Sequence, residues 1–254
     1  MPIKSKNTID SPARGYDIRS IVNKKGSLRE FYLEVYNKFL AAMNTAPAKG
    51  LAVELGSGAG FIKAFLPEVL ATDMIAYDGI DQVLDATHMP FRSSTLRCIF
   101  MNNVLHHIPR ADLALKEVSR CLRPGGLFLI VDQYPGFPAK WIYKYLHHED
   151  FDDQVKGWDF PAKGPLSSAN GALPWIIFFR DRWRFEVEFP DLEVVNINIH
   201  TPLRYWLAGG LKKWTLLPMA LYPLAAQLDQ LLVKQWKGFG SFMDVTIRKR
   251  SIEG

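Results

Sequence analysis

Two patterns of apolar positions alternate along the chain, one with helical spacing and one of short unbroken runs. From Ser27 the stretch SLREFYLEVYNKFLAAM puts Phe31, Val35, Phe39 and Ala42 on one helical face. Ser27 with Glu30 three positions on predicts a capping box at its start. The first strand signal, Leu51 to Leu55, runs straight into Gly56-Ser57-Gly58-Ala59-Gly60. The segment FIKAFLPE follows, with Phe61, Ala64 and Phe65 spaced for a helix. Val69 to Asp73 predicts a second strand, Val83 to Ala86 a short third and Leu96 to Met101 a fourth. Leu113, Leu115, Val118 and Leu122 predict a helix that stops at Pro124-Gly125-Gly126, ahead of an apolar fifth strand, Leu127 to Val131. Leu192 to Ile199 and Phe242 to Ile247 supply two more strands.

Apolar strands alternating with helices imply an α/β fold, a mostly parallel sheet covered on both faces. Residues 1–27 are polar and rich in turn residues (Pro12, Gly15, Gly26), so 1–50 is expected to be a surface segment followed by a helix. Residues 51–132 form the core. About 60 residues separate the fifth and sixth strands and about 40 the sixth and seventh, long for connections within a compact domain. Residues 133–190 are therefore read as a lid or substrate insertion. Residues 191–254 hold the last two strands around a second insertion at 200–240.

Composition narrows this little further. Of 254 residues, 48% are hydrophobic and 22% charged, which excludes a disordered chain. The two cysteines, Cys98 and Cys121, make neither a disulfide framework nor a metal-ligand spacing and fit a reducing cytoplasm. A net charge of +5 is too mild to indicate nucleic-acid binding. The start lacks the apolar core of a signal peptide, and no run of 18 apolar residues predicts a membrane span. The expectation is a cytoplasmic protein.

A strand that ends in three alternating glycines makes a ligand site, because the backbone can approach the ligand closely. A dinucleotide fingerprint requires G-x-G-x-x-G, yet Phe61 stands where its third glycine would fall. Glu54, two residues before the first glycine, would repel a pyrophosphate and suits a ligand carrying an ammonium group. A nicotinamide-dependent oxidoreductase is disfavoured.

VELGSGAG resembles the first motif of the class I S-adenosylmethionine-dependent methyltransferases, and four further motifs follow in order. Asp73 stands where that family places an acid on the ribose hydroxyls. Asp85-Ala86 followed by Met89-Pro90-Phe91 resembles its adenine-binding signature. Met101-Asn102-Asn103-Val104-Leu105-His106-His107-Ile108 and Cys121-Leu122-Arg123-Pro124-Gly125-Gly126 resemble motifs of its type 11 branch. One departure is visible: only 12 positions separate Asp73 from Asp85, so the usual intervening helix is cut to a turn. The resemblance implies a Rossmann-like doubly wound seven-stranded sheet and S-adenosylmethionine as cofactor. It implies cofactor contacts from Glu54, Gly56, Ser57, Gly58, Asp73, Asp85, Ala86, Asn102 and Asn103. The run from His147 through Ser167-Ser168-Ala169-Asn170-Gly171 resembles, more weakly, the long tail of a bacterial subgroup of this branch.

His106 and His107 follow the fourth strand and are the candidate general bases, with cofactor contact or packing as the alternative. The cluster Tyr145-Leu146-His147-His148-Glu149-Asp150 reads first as a surface or capping element, with supply of a base as its alternative. No metal site is expected, since adjacent histidines rarely ligate one ion together and no spaced partner is visible. Aromatics crowd 133–190, and Arg180, Arg182 and Arg184 interleave with them. They suit either a phosphate- or sugar-bearing substrate or a small lid core with solvated charges. In the second insertion Leu217, Leu221, Leu224, Leu228 and Leu231 share a helical face flanked by Lys212-Lys213 and Lys234, Trp236 and Lys237. A buried lid helix is the default, and peripheral membrane contact through 206–237 is the rival. The reading is O- or C-methylation of a small hydrophobic, lipid-linked or glycan acceptor, with no nucleic acid. The alternative is a cofactor-binding protein without turnover.

Overall fold

The computed structural model describes residues 9–147 and 149–251. Helices α1 (Ala13–Lys24) and α2 (Gly26–Thr45) precede strands β1 (Leu51–Leu55), β2 (Leu70–Asp73), β3 (Gln82–Val83) and β4 (Leu96–Asn102). Helix α3 (Ala111–Cys121) leads into β5 (Leu122–Gln133). The first insertion carries α4 (Phe137–Tyr145), a single turn α5 (Leu173–Trp175) continued as a wider π turn over Ile176–Arg180, and α6 (Arg182–Glu188). Then come β6 (Leu192–His200), α7 (Arg204–Leu207), α8 (Tyr222–Gln235) and β7 (Phe242–Lys249).

The strands form one seven-stranded sheet in the order β3-β2-β1-β4-β5-β7-β6. All pairs are parallel except those of β7, which runs against β5 and β6. Chain order reverses between β1 and β4, so their carboxyl ends flank the crevice where open α/β sheets bind ligands. Period-two alternation decides which face each side chain joins. On β4, Ile99 and Met101 join one core with α3, whereas Cys98 and Phe100 join the other with α2. Phe31, Val35, Phe39 and Ala42 of α2 are all buried there, and Phe39 stacks on Phe100 with ring centroids 4.3 Å apart. The first insertion contributes Trp158, Leu173, Ile176, Phe178 and Phe185 to the α3 face, so much of it is core rather than a loose flap. Its arginines are ion-paired within the insertion, Arg180 with Asp181, Arg182 with Glu186 and Arg184 with Glu188.

Several elements differ from the sequence expectation. The N-terminal segment contains α1, whose apolar stripe is thin and whose anchors are polar. Arg19 donates to the carbonyls of Ala59 and Asp78, at 2.8 and 2.6 Å, and Gly15 lies against the Tyr77 ring. The capping box does not form. Helix α2 begins at Gly26, which draws Ser27 into the first turn and buries its hydroxyl with no partner among the described residues. After the glycine loop only a 3₁₀ turn, Phe61–Ala64, appears in place of an α-helix. Pro67 cannot extend that turn, and the chain must reach β2 at Leu70. Strand β3 is two residues long, so Asp85 and Ala86 fall beyond it. Residues 122–126 are drawn into β5 as a bulged start, Leu96 pairing Leu122 and Cys98 pairing Leu127.

Helix α8 also departs from the buried-lid expectation. Its inward side carries a buried charge: Asp229, 1% exposed, accepts from Arg204 Nη1 at 2.8 Å, and Arg204 Nη2 reaches Glu34 at 2.5 Å. Tyr222 donates to Glu34 at 3.0 Å. Leu217 is buried before the helix, whereas Leu221, Leu224, Leu228 and Leu231 are 46–64% exposed. No helix of the described residues is long and apolar enough to cross a membrane.

The stacked pair between α2 and β4 yields a stability test. Phe100→Ala removes a fully buried ring and should cost about 3–5 kcal/mol. In urea this appears as a lower midpoint with an unchanged slope.

Candidate functional site

A cavity of about 470 Å³, the size of a small-molecule site, opens at the carboxyl ends of β1 and β4. Its floor is Glu54 and Gly56 to Ala59; its wall is Asn102, Asn103, His106 and His107. Arg14 and Ile18 of α1 cover one side. Tyr143 and Glu149 come from the first insertion, and Trp206, Lys212 and Trp214 from the second. Three chain segments distant in sequence thus converge on the sheet's reversal point.

The glycine loop has a conformation that side chains resist. Gly56, Gly58 and Gly60 have φ of 69°, 55° and 70°. A Cβ on Gly56 would strike Val104, and one on Gly60 would strike the carbonyl of Gly79. A Cβ on Gly58 would meet no protein atom within 4 Å, so the space it leaves belongs to the cavity. The amide of Gly58 donates to Asp73 Oδ2 at 2.9 Å, and that of Ile75 to Oδ1 at 2.9 Å. Asp73 therefore braces the loop from the end of β2. Ser57 is spent structurally: its Oγ donates to the Glu54 carbonyl at 3.2 Å and accepts from the Thr72 amide at 3.2 Å. Asn103 sits in the left-handed region, φ 56°, and its side-chain amide donates to Asn102 Oδ1 at 3.1 Å.

Glu54 is the anomaly of the floor. It is 2% exposed, and its Oε2 has no hydrogen-bond partner among the described residues. Burial raises its carboxyl to about 7, and the charge of Asp73 adds to the shift.

In the cavity wall His106 and His107 occupy the turn after β4, their ring centroids 4.1 Å apart. His106 Nδ1 donates to Asp132 Oδ1 at 2.6 Å, and its Nε2 lies 3.3 Å from Glu149 Oε2. His107 Nδ1 donates to the Ser168 carbonyl at 2.8 Å, and its Nε2 lies 3.7 Å from Glu149 Oε1. Burial opposes charge on both rings. Asp132 and Glu149 overcome it at His106, holding it up at about 10. At His107 burial and the neighbouring His106 prevail, pulling it down to about 4. Glu149, despite its burial, is held well below the usual carboxylate range by the histidines.

The structure thus brings Glu54, Gly56, Ser57, Gly58, Asn102, Asn103, His106 and His107 to one cavity. Asp73 stands behind Gly58. Asp85 and Ala86 do not line the cavity; Asp85 Oδ1 instead accepts from the amide and hydroxyl of Thr87, both at 2.8 Å. With no helix between β2 and β3, the chain turns away there. Glu149 overturns the surface reading of its cluster, because it meets the histidine pair; His148 lies outside the described residues. Asp132 was equally hidden, although an acid closing an apolar strand is a legible signal.

Residues 53–130 match the model of a family described as a methyltransferase domain. These residues belong to that family. Their sheet is the Rossmann-like fold of the S-adenosylmethionine-dependent methyltransferases. The chain is 29% identical to the ubiquinone/menaquinone biosynthesis C-methyltransferase UbiE of Desulfotalea psychrophila, over 52% of this chain and 58% of that one. It is 26% identical to the fatty-acid O-methyltransferase of Mycolicibacterium smegmatis, over 46% of this chain and 48% of that one. Against a sterol 4-C-methyltransferase of Caenorhabditis elegans the identity is 35%, over 26% and 21%. The chain thus spans less than two thirds of each of these relatives. The geranyl diphosphate C-methyltransferase of Streptomyces coelicolor, solved with Mg²⁺, geranyl diphosphate and S-adenosylhomocysteine, shares the fold. Its TM-score is 0.53 at 15% identity, covering 88% of this chain and 81% of that one.

Glu54 links the methyltransferase domain to a measurable stability term. The folded state holds a proton that the unfolded carboxyl, near 4.5, has released. Its contribution is therefore complete below pH 4.5 and is lost as pH rises to about 7, a loss of roughly 3 kcal/mol. Between pH 5 and 8 the protein should lose roughly 2–3 kcal/mol more than Glu54→Gln in urea unfolding.

Proposed function

We propose that this protein transfers a methyl group from S-adenosylmethionine to carbon or oxygen of a hydrophobic, lipid-like acceptor. The observation that carries the cofactor half is the buried Glu54 Oε2 in the cavity floor, which has no partner among the described residues. A buried carboxylate needs a cation, and the cofactor's ammonium group is one. Gly58 leaves the floor open beside it, and Asp73, at the end of β2, is the candidate for the ribose hydroxyls once the loop adjusts. Asn102 and Asn103 add polar groups at the end of β4. When bound there, the cofactor supplies a methyl group made electrophilic by its sulfonium.

The chain's own contribution is alignment and acceptor activation. His106, His107 and Glu149 form the polar end of a cavity whose remaining walls are largely aromatic and aliphatic. Their place supports activation of the acceptor there.

The acceptor half rests on the outward face of α8. A helix that buries its aspartate and exposes Leu224, Leu228 and Leu231 suits an apolar environment outside the protein. Trp214, Leu216, Met219 and Trp236 of the same insertion are exposed, as are Leu221, Leu224, Leu228 and Leu231. Lys212, Lys213, Lys234 and Lys237 flank them, as interfacial segments require. Lys212 and Trp214 also line the cavity, which joins its mouth to this surface. Such a surface suits the lipid-water interface, from which an acceptor can enter sideways. The lipid character of the acceptors named for the relatives agrees with this.

Two sets of variants test the reading. Gly58→Ala should weaken S-adenosylhomocysteine at least about tenfold, at a cost of about 1–2 kcal/mol for its left-handed backbone. His107→Ala should lower methyl transfer by about 10²–10⁴ while leaving that affinity within about twofold. Leu224→Glu with Leu228→Glu should abolish co-sedimentation with anionic phospholipid vesicles and leave cofactor affinity intact. Equal vesicle binding by the double variant would remove the interfacial assignment.

A further inference from the structure

Among the described residues, His106, His107 and Glu149 offer three ligating atoms that lie within 4.8 Å of one another and face the cavity. Each imidazole is held from behind through Nδ1: His106 by Asp132 Oδ1 at 2.6 Å, His107 by the Ser168 carbonyl at 2.8 Å. A carboxylate and a carbonyl can only accept, so each ring donates its Nδ1 hydrogen there. A bound cation displaces any proton from Nε2, whose lone pair then serves as the ligand. Both Nε2 atoms point to the same carboxylate, at 3.3 and 3.7 Å from its two oxygens. The third ligand is oriented too, since Gln133 Nε2 donates to Glu149 Oε2 at 3.1 Å.

A ligand histidine fixed through its far nitrogen by a carboxylate or carbonyl is the usual outer support of a bound metal. The charge balance points the same way. Two carboxylates, Asp132 and Glu149, surround two imidazoles, and Asp132 Oδ2 is buried with no partner among the described residues. A divalent cation on Nε2 would take the place of the His106 proton as the positive charge facing both carboxylates.

We infer that His106, His107 and Glu149 bind one divalent first-row transition cation at the acceptor end of the cavity. Two nitrogens and a carboxylate suit zinc, iron or cobalt, whereas magnesium and calcium take oxygen ligands. Three protein ligands leave coordination positions open toward the cavity, where an acceptor oxygen can be polarised. Only that last role rests on the methyltransferase reading; the binding of the ion does not.

The test uses the untagged full chain, stripped with a chelator and dialysed. It is titrated with Co²⁺ and Zn²⁺ by calorimetry, with Co²⁺ also followed by its visible ligand-field absorption. S-adenosylhomocysteine is titrated in parallel. The expected result is one equivalent of Co²⁺ with a ligand-field band, displaced by Zn²⁺ and not by Mg²⁺. Asp132→Asn, which keeps all three ligands, should weaken Co²⁺ by about 10–100-fold. Glu149→Gln, nearly isosteric and partly exposed, should weaken it at least as much and shift the band, with the circular dichroism unchanged. Failure to bind Co²⁺ or Zn²⁺ in protein that binds S-adenosylhomocysteine overturns the cation site and leaves the methyltransferase reading standing. Binding of Co²⁺ without S-adenosylhomocysteine does the reverse. Co²⁺ binding unchanged in both variants overturns the assignment to these residues.

Discussion

Near its end strand β1 carries a carboxylate, Glu54, buried with no partner for Oε2 among the described residues. The neighbours of Glu54 on the strand, Ala52, Val53 and Leu55, are buried in the two cores, so the backbone cannot swing the acid into solvent without pulling them out. The three glycines that follow turn the chain so tightly that the acid is left facing the cavity they create. Glu54 is therefore a cost to the empty protein and an attraction for a cationic ligand. Asp73 holds the loop that presents it, and Ser57 and Thr72 stitch the ends of β1 and β2 around it.

The other end of the cavity is organised by residues that lie far apart in the chain. The turn after β4 supplies two histidines, the end of β5 supplies Asp132, and the first insertion returns Glu149 and the Ser168 carbonyl to them. The second insertion contributes differently. Arg204 draws Asp229 and Glu34 together beneath α8, and that buried polar anchor fixes which side of the helix turns outward. Leu224, Leu228 and Leu231 then stand exposed among the described residues. The lipid-facing assignment thus follows from the polar network as much as from the leucines.

Strands and their order were legible because buried parallel strands are nearly unbroken apolar runs, and because α2 repeats its apolar residues at helical spacing. The glycine loop was legible for its backbone demands, and Glu54 for its misplaced charge. What stayed hidden is non-local. Nothing near Glu149 in the sequence says that it meets His106 and His107, since that contact depends on how the first insertion folds over β5. Helix α1 was hidden because arginine and glycine contacts, rather than an apolar stripe, hold it in place. Helix α8 presented an apolar stripe that reads alike in a core and at an interface. Only the partner of Asp229 distinguishes the two.

The central claim is that Glu54 receives the ammonium group of a cofactor in this cavity. Calorimetric titration with S-adenosylhomocysteine between pH 5.5 and 8, in buffers of differing ionisation enthalpy, tests it most directly. Since burial raises Glu54 to about 7, binding below that pH must release its proton, and affinity should rise about tenfold per unit up to pH 7 and then level off. Affinity that is flat across this range, with no proton released, would contradict the assignment of Glu54. Absence of binding in folded protein would contradict the cofactor reading of the cavity.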